Sequence, residues 1–554
     1  MGGGLLNLIA NTQSNNANIY FIGNPSSCFF TTTYNQFCNF GKQKFRIDYN
    51  GSNSLQQNIS TNITFKISRS GDLLTDTYLV ISLPNIFSPI IDMSGSYASY
   101  DFKWIKDIGT SIIKEVTIKI DGNIIQQYSG AYIKNVVERD YDSNKKDIFY
   151  KMTGNIPEIH SPILTTHSNE FPNSYQIYPN SIGPNSAPSI KARQLFIPIH
   201  SWFTLTDYLA FPLIALQYQE LFIDFTLRPL SELYLIRDLT KINHSNYNLT
   251  PYISPSKVPS PKYNLSTFVT RYDTTIPRDY DDTSMLNTIL PTFNIFIICD
   301  QIFLSEDQRL YFANNSHNYL FRDVREHVVY DIVGSTKIDI ESHSLVANWM
   351  WYLQRSDVDK RNEWSNYTNL ESEDININGN YYTYDLSMTS YQYDQSNNIT
   401  DLSNIYCTPI YNSIHEKEIL SSLAIICDGA YRENNFSSGV YKYLDIYNTS
   451  SGNSKDGLYF YSFLLNNNLS KIQPYGLFNT NFFKKTEFEI TTLSPNIDLS
   501  GSNVVVTCDD DGNIISINKN NNSLYEYTFT IHIQEERYNI ITFSSGMANL
   551  EFTR

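Results

Sequence analysis

Short segments in which apolar and polar residues alternate run along the whole chain, and this period of two constrains the fold more than any other feature. Residues 63–67 alternate in this way, as do residues 221–227 and residues 527–534. Side chains of a β-strand point alternately to the two faces of a sheet, so each segment has one apolar and one polar face. Strands of this kind are typical of antiparallel sandwiches. The sequence therefore predicts an all-β protein.

The composition between these segments supports the same class. Residues 116–120 lead into Asp121-Gly122, a dipeptide typical of β-hairpins. Aromatic residues make up 14% of the chain, and aromatic and β-branched residues favour strands, whereas Asn and Asp favour turns. A coiled coil, a helical bundle and a disordered chain are excluded. The strongest helix signal is a capping-box pattern at residues 305–308, which predicts one short helix between strands.

The 554 residues are enough for two large β domains. A polar, proline-rich segment at residues 236–266 follows the first set of alternating segments, which resume near residue 293. Polar stretches at 155–190 and 361–404 are predicted to be long surface loops. We predict four regions in chain order: an N-terminal arm at 1–22, a first sandwich at 23–235, a linker at 236–266, and a second sandwich at 267–554 that carries the 361–404 stretch as a surface insertion.

Charge and cysteine usage limit the classes of partner. The net charge of −16 makes the chain a poor general binder of nucleic acid or of an anionic membrane. No apolar run approaches the 18 residues of a membrane span, and the N-terminus lacks the basic region of a signal peptide. The six cysteines are too sparse for a disulfide scaffold and are interpreted as free thiols in a reducing compartment: Cys28, Cys38, Cys299, Cys407, Cys427 and Cys508.

The sequence contains none of the familiar catalytic signatures for nucleotide binding, serine hydrolysis or zinc proteolysis. Residues 509–513 resemble the start of a calcium loop, but Ile514 stands where that loop requires glycine, so a hairpin tip is the better interpretation. One scattered group is more typical of a solvated helix end than of a metal site: His317, Asp323, Glu326 and His327. We therefore predict no catalytic, cofactor-binding or metal-binding residue.

Distinctive blocks of sequence follow one another along the chain. The most specific is Phe-Pro-Leu-Ile-Ala-Leu-Gln-Tyr at residues 211–218, with Trp202-Phe203 shortly before it. We expect this block to be an extended segment that carries one polar residue into a sheet. Other blocks lie in order at residues 23–40, 69–84, 104–122, 303–320, 351–369, 457–479 and 538–548.

In content and order, these blocks resemble the major capsid proteins of large nucleocytoplasmic DNA viruses. Three positions depart from the family pattern, namely Asp121 in place of Gly, Gln219 in place of His and Tyr475 in place of Ser. The resemblance implies two consecutive eight-stranded antiparallel jelly rolls with long loop insertions and a few short helices. It also implies a non-enzymatic major capsid protein, a structural shell protein without cofactors.

The resemblance further implies a homotrimer, because three chains with two rolls each present six similar wedges around a threefold axis. Such pseudo-hexagonal capsomers would tile an icosahedral virion assembled in the host cytoplasm. The expected partners are other copies of the chain, neighbouring capsomers, and minor capsid, penton or inner-membrane proteins. No direct contact with nucleic acid is expected.

Two alternatives remain open on the residues alone. The wealth of Tyr, Asn and Asp also suits a carbohydrate-binding or glycoside-cleaving β-sandwich, which hydrolysis of an oligosaccharide would identify. A minor capsid or scaffold protein of the same fold is the other alternative, and its low abundance in virions would distinguish it.

Overall fold

The computed structural model of the chain describes residues 3–4, 24, 26, 28–32, 34–49, 51, 55–88, 100–162, 188–238, 252–257, 263–269, 293–342, 344–369, 417–468, 473–494, 505–508, 514–518 and 527–552. Contacts divide the chain into two units, residues 1–41 and residues 42–554. Within the first unit, the rings of Phe37 and Phe40 meet edge to face with centroids 6.4 Å apart. Most of the predicted arm at 1–22 lies outside the described residues. The second unit contains both sandwiches.

The described residues form a succession of β-strands. In the first part of the chain these are β1 (Phe40–Asp48), β2 (Thr61–Lys66), β3 (Leu73–Leu83), β4 (Tyr100–Trp104), β5 (Ile113–Ile120), β6 (Asn123–Tyr128), β7 (Arg193–Pro198), β8 (Leu221–Leu227), β9 (Tyr234–Asp238) and β10 (Ile295–Leu304). In the second part they are β11 (His317–Ile332), β12 (Ser335–Ile340), β13 (Leu345–Arg355), β14 (Leu420–Cys427), β15 (Ala430–Ser437), β16 (Leu458–Ser462), β17 (Phe478–Asn479), β18 (Thr486–Thr492), β19 (Val505–Cys508), β20 (Ile514–Asn518), β21 (Phe529–Ser544) and β22 (Met547–Leu550).

Helices are short and lie between strands. The α-helices are Ile108–Ser111, Gly130–Asp140, Ser143–Thr153, Pro157–His160, Leu265–Val269, Glu306–Asn314 and Asp445–Thr449, and a π-helical turn spans Val440–Leu444. Turns of 3₁₀-helix are Trp202–Thr204, Asp207–Leu209, Leu213–Ala215, Leu230–Glu232, Val358–Lys360 and Thr480–Phe482. The helix Glu306–Asn314 confirms the one predicted from residues 305–308. Among the residues described, no helix has the length and apolar character needed to cross a membrane.

Two sandwiches share one strand order. In the first, the sheets run β1-β10-β3-β7 and β2-β8-β5-β6; in the second they run β11-β21-β13-β16 and β12-β18-β14-β15. When the eight strands of each sandwich are numbered along the chain, both give the orders 1-8-3-6 and 2-7-4-5. Neighbouring strands pair antiparallel, as β3 does with β10 and β7. This interleaving of two Greek keys is the jelly roll, so the predicted fold of two consecutive jelly rolls is confirmed.

The period of two decides which side chains form each core. In β8, Ile223 and Phe225 are buried, whereas Asp224 between them is partly exposed. Phe225 meets Phe65 of the paired strand β2 edge to face, with centroids 5.9 Å apart. In the second roll, the strand β21 buries Ile531 in the same manner. The strand positions predicted from alternation at these segments are therefore confirmed.

The boundary between the two rolls lies later in the sequence than the predicted linker. The strand β10 follows residues 236–266, yet it pairs with β3 and completes the first roll. Within the predicted linker, Ile253 bridges Ile236, and Leu265 packs in the first core. The reason is topological, because the eighth strand of a jelly roll lies between the first and the third. Of the two predicted loops, residues 163–187 and 370–404 lie outside the described part of the chain.

The block at residues 211–218 is a turn rather than the predicted extended segment. Phe211 makes an isolated bridge to Leu74, and a 3₁₀-helical turn, Leu213–Ala215, follows. The backbone N–H groups of Gln217 and Tyr218 both donate to the carbonyl oxygen of Gly546, at 3.0 and 3.2 Å. This block therefore ties the first roll to the hairpin that joins β21 to β22 in the second roll.

Candidate functional site: the buried seam between the two rolls

The helix Gly130–Asp140 joins the two rolls. It starts directly after β6, where the side chain of Ser129 caps it by accepting a hydrogen bond from the backbone N–H of Tyr132. All of its residues except Ala131 and Asp140 are buried. One side packs on the first core, and the other faces the outer surface of the sheet β11-β21-β13-β16. We call this contact the seam.

Strand β21 presents different residues to its two sides. Ile531 and Ile533 point into the core of the second roll. Gln534 and Glu536 bond instead to the helix of the first roll. Four consecutive polar residues of this strand, Gln534 to Arg537, are buried. The strand is therefore enclosed on both faces, which explains how a charged sequence can lie in the middle of a sheet.

Glu536 is the centre of the polar part of the seam. Its carboxylate lies 2.8 Å from the guanidinium of Arg139, and neither side chain is exposed. Asn348 and Tyr132 donate hydrogen bonds to it at 2.8 and 3.1 Å, and Arg322 lies 3.3 Å away. Burial raises the pKa of a carboxyl group, but here the charges of Arg139 and Arg322 outweigh burial and lower the pKa of Glu536 to about 2. The group is thus held ionised between the rolls.

A second set of hydrogen bonds continues along the seam. The hydroxyl of Ser129 donates to Glu326 at 2.5 Å, and Gln534 donates to the same carboxylate oxygen at 3.0 Å. Asn135 donates to Gln534 at 3.1 Å and accepts from Tyr367 at 2.9 Å. Each of these contacts links the two rolls or supports a residue that does. Burial raises the pKa of Glu326.

Apolar residues continue the core of the first roll across the seam. Trp202 lies with its ring centroid 5.4 Å from that of Tyr319 on β11. Phe211 meets Phe543 of β21 edge to face at 5.2 Å. Several buried residues of the second roll belong to the same apolar cluster as the first core: Phe321, Val324, Met350, Tyr352, Ile541 and Phe543. Separating the rolls would expose this surface to water, so the two rolls form one unit.

A loop of the second roll receives the end of the helix. The backbone N–H of Gly452 donates to the carbonyl oxygen of Arg139 at 2.9 Å. The hydroxyl of Ser451 donates to the backbone carbonyl oxygen of Asp140 at 3.1 Å. A Cβ atom on Gly452 would lie 2.3 Å from the Arg139 carbonyl oxygen. Only glycine therefore allows this approach, which satisfies carbonyl groups left free at the helix end.

A cavity of about 520 Å³ opens beside the seam. Its lining includes Ser129, Arg228, Glu326, Tyr352 and His532. The rings of His532 and Tyr352 are stacked with centroids 4.8 Å apart. Burial, together with the charge of Arg228, lowers the pKa of His532 to about 4. The cavity walls come from both rolls, so its shape depends on the seam.

The scattered group of possible ligands noted in the sequence is not brought together. All four of its residues lie on β11, but Asp323 pairs with Arg537 at 3.0 Å, whereas Glu326 faces the seam. His317 lies 3.2 Å from the carbonyl oxygen of Phe312. No cluster of three potential metal ligands occurs in the described part of the chain. The calcium-like residues 509–513 lie outside it. Of the cysteines described with side chains, Cys28, Cys299 and Cys427 are free thiols.

The residues of the seam were not anticipated from the sequence. One local signal is the run Gln534 to Arg537, four polar residues directly after an alternating strand. A second is the helical spacing of Ile133, Val136 and Val137 in the helix Gly130–Asp140, although this spacing does not show that Asn135 and Arg139 on the polar side bond across the seam.

Comparisons with known proteins agree with this architecture. Residues 28–260 match a family model described as the major capsid protein N-terminus. The major capsid protein of Paramecium bursaria Chlorella virus 1 is 22% identical over the full length of both chains. Capsid protein 1 of Acanthamoeba polyphaga mimivirus is 28% identical over 254 residues, which are 45% of this chain and only 38% of the mimivirus protein. The crystal structure of PBCV-1 VP54 superposes with a TM-score of 0.60 at 18% identity, covering 95% of this chain and all of VP54.

Proposed function

We propose that this chain belongs to the family of major capsid proteins of large nucleocytoplasmic DNA viruses and is the major shell subunit of an icosahedral virion. The observation that carries the proposal is the same eight-strand order occurring twice, in two rolls joined by a buried seam. A pair of wedges fixed in this way has a defined outline and can tile a surface. Assembly of a shell requires subunit edges of defined shape and does not require a catalytic site.

The oligomer that suits this unit is a homotrimer. Three chains with two rolls each give six similar wedges, which close a pseudo-hexagonal ring. Such a ring meets neighbouring rings through side-by-side contacts. Minor capsid, penton or inner-membrane proteins are the further partners we propose, with assembly in the host cytoplasm and residence in the capsid of the virion.

We propose that the chain is not an enzyme and does not contact the genome. Most of the polar groups buried at the seam bond to one another, as Glu536 does with four neighbours, so their arrangement suits structural support. The net charge of −16 would repel phosphate. Purified protein is expected to leave oligosaccharides intact, and hydrolysis abolished by a single carboxylate substitution would contradict this part of the proposal.

The decisive experiment measures mass in solution. Multi-angle light scattering of the purified chain should give three times the 63.9 kDa of one chain, or about 190 kDa. Electron microscopy should show particles of near-hexagonal outline. A stable monomer or dimer at micromolar concentration would overturn the proposal.

A further inference from the structure

The helical segment at the seam has a counterpart in the second roll. The fifth strand of each roll in chain order, β6 or β15, lies at a sheet edge. Directly after each of these strands comes the pattern Ser-Gly-x-Tyr, starting at Ser129 in the first roll and at Ser438 in the second. Each pattern opens a helical segment, Gly130–Asp140 or Val440–Thr449. The two segments therefore hold equivalent places in the two rolls.

The two equivalent segments differ in their surroundings. The first is buried in the seam, as described above. The second leaves three large side chains exposed: Tyr443, Leu444 and Tyr447. Every residue of the neighbouring strand β15 except Glu433 is exposed as well. An exposed group of apolar side chains next to an open sheet edge is a typical interaction surface.

The surface that receives the helix also has a counterpart. In the seam, the helix lies on the outer face of the first, eighth and third strands of the second roll. The corresponding face of the first roll is formed by β1, β10 and β3. The face carries the exposed cations Lys42, Lys44 and Arg46, and the guanidinium of Arg46 lies 3.9 Å from the ring centroid of Phe296.

In each roll, the eighth strand carries a buried carboxylate on this outer face. In the second roll it is Glu536, bound by Arg139 and Arg322. In the first roll it is Asp300, with a side chain only 2% exposed and with the ammonium groups of Lys44 and Lys42 at 2.8 and 3.0 Å. Part of the seam's chemistry is thus repeated on a face whose cations Lys42, Lys44 and Arg46 are exposed.

We propose that the segment Val440–Thr449 of one copy packs on the outer face of β1, β10 and β3 of a second copy, repeating between chains the contact that the seam makes within a chain. This inference rests on the proposed function, since it specifies how shell subunits join. The contact is head to tail, and it closes a ring of three copies when each step turns by one third of a full rotation. The lysine and arginine side chains of the receiving face would cover the rings of Tyr443 and Tyr447 of the other copy. The aliphatic parts of these lysine and arginine side chains would pack on Leu444.

The repeat also indicates which residues should meet. Arg139, the partner of Glu536, stands ten residues after Ser129. Asn448 stands ten residues after Ser438 and is exposed. Since Asp300 corresponds to Glu536, Asn448 of one copy should lie near Lys44 of the next.

Cysteine cross-linking tests this contact directly, with the exposed Cys28 and Cys38 changed to Ser in every variant to remove background. Under mild oxidation, the double variant Lys44→Cys, Asn448→Cys should give covalent dimers and trimers on a non-reducing gel, and no larger species. Either single variant alone should stay uncross-linked, whereas a mixture of the two should yield dimers only. Cross-linking by Asn448→Cys alone would show a symmetric contact and overturn the proposal.

A matched pair of surface variants gives a second measurement. Leu444 and Leu310 are 54% and 56% exposed on short helices, and only Leu444 lies in the proposed contact. Leu444→Asp should reduce the mass in solution from about 190 kDa to that of a 63.9 kDa monomer, whereas Leu310→Asp should leave the trimer intact. A trimeric double-cysteine protein without cross-links would refute this contact and leave the proposed function standing, whereas a monomeric unaltered protein would refute the proposed function itself.

Discussion

Arg139 and Glu536 form an ion pair at 2.8 Å in which neither side chain is exposed to solvent, and the two residues come from different jelly rolls. The pair exists only while the rolls stay together, because one partner comes from each roll and each helps to neutralise a charge buried at the seam. The association of the two rolls is therefore part of the folding of the chain.

Loss of Arg139 should be costly. The variant Arg139→Ala leaves Glu536 buried with Arg322 as its remaining cation, and we expect the free energy of unfolding to fall by about 3–5 kcal/mol. Arg309→Ala is the control, because Arg309 pairs with Asp72 at 3.0 Å but is itself largely exposed, and its loss should cost less than about 1 kcal/mol. Urea unfolding measures both. Similar losses would contradict the structural role given to the seam.

Phe225 and Asp224 test the assignment of the two faces of β8. Phe225→Ala should lower the free energy of unfolding by about 3–5 kcal/mol, because it opens a cavity in the first core. Asp224→Ala removes a partly exposed ion pair with Lys119 and should cost less than about 1 kcal/mol. Equal losses of unfolding free energy in the two variants would contradict this assignment of the buried and exposed faces.

Stability should decrease as the pH falls from about 6.5 towards 4. Burial lowers the pKa of His532 to about 4, whereas in the unfolded chain a histidine binds a proton near pH 6.5. The contribution of His532 is therefore complete above pH 6.5 and is lost as the pH falls through the folded-state pKa. His200 and His327, whose pKa values burial also lowers to about 4, act in the same direction.

The variant His532→Gln isolates this effect. Its urea midpoint should depend less on pH between pH 6.5 and pH 4 than that of the unaltered chain. The corresponding loss from Glu536 falls at lower pH, between about 4.5 and 2, so most of it lies outside this range. Identical pH dependence in the two proteins would contradict the lowered pKa.

Gly452 should tolerate no side chain. In Gly452→Ala the new methyl group would meet the carbonyl oxygen of Arg139, so the loop must withdraw from the helix end. Gly122→Ala is the matched control, because a Cβ atom at Gly122 has nothing within 4 Å. We expect Gly452→Ala to lower the melting temperature by about 1–3 °C, since a loss of about 1–3 kcal/mol is typical of overpacking and the unfolding entropy of a chain this long is large. An equal change in both variants would rule out the close approach.

The predicted insertion should be dispensable for folding. Most of this insertion, predicted at 361–404, falls within residues 370–416, which lie outside the described part of the chain. The backbone N–H of Asn369 nevertheless donates to the carbonyl oxygen of Lys417 at 2.9 Å. Because the two ends already meet, replacing residues 372–400 by a short Gly-Ser linker should change the loop-closure free energy by only about 1 kcal/mol. Light scattering should still show a trimer. Loss of the folded trimer would indicate that the insertion belongs to the core or to the contact between copies.

Local pattern was enough to predict the strands and their faces. In β8, the alternation of Ile223 and Phe225 with Asp224 identifies the buried side, because the period of two is a property of the extended backbone itself. The blocks of family resemblance then indicated two jelly rolls, and the repeated strand order confirmed them.

The tertiary structure alone decided which elements are partners. The predicted linker failed to separate the rolls because β10 returns to lie beside β3, and a local pattern says which face of a strand is buried but not which strand lies next to it. The helix Gly130–Asp140 was not predicted, although Ile133, Val136 and Val137 recur at helical spacing, and its pattern alone could not show that Asn135 and Arg139 contact the second roll. Arg139 and Glu536 each look like a surface charge in the sequence. They become a buried pair only because folding closes the long stretch of chain between them, and a contact at that separation leaves no mark on either local pattern.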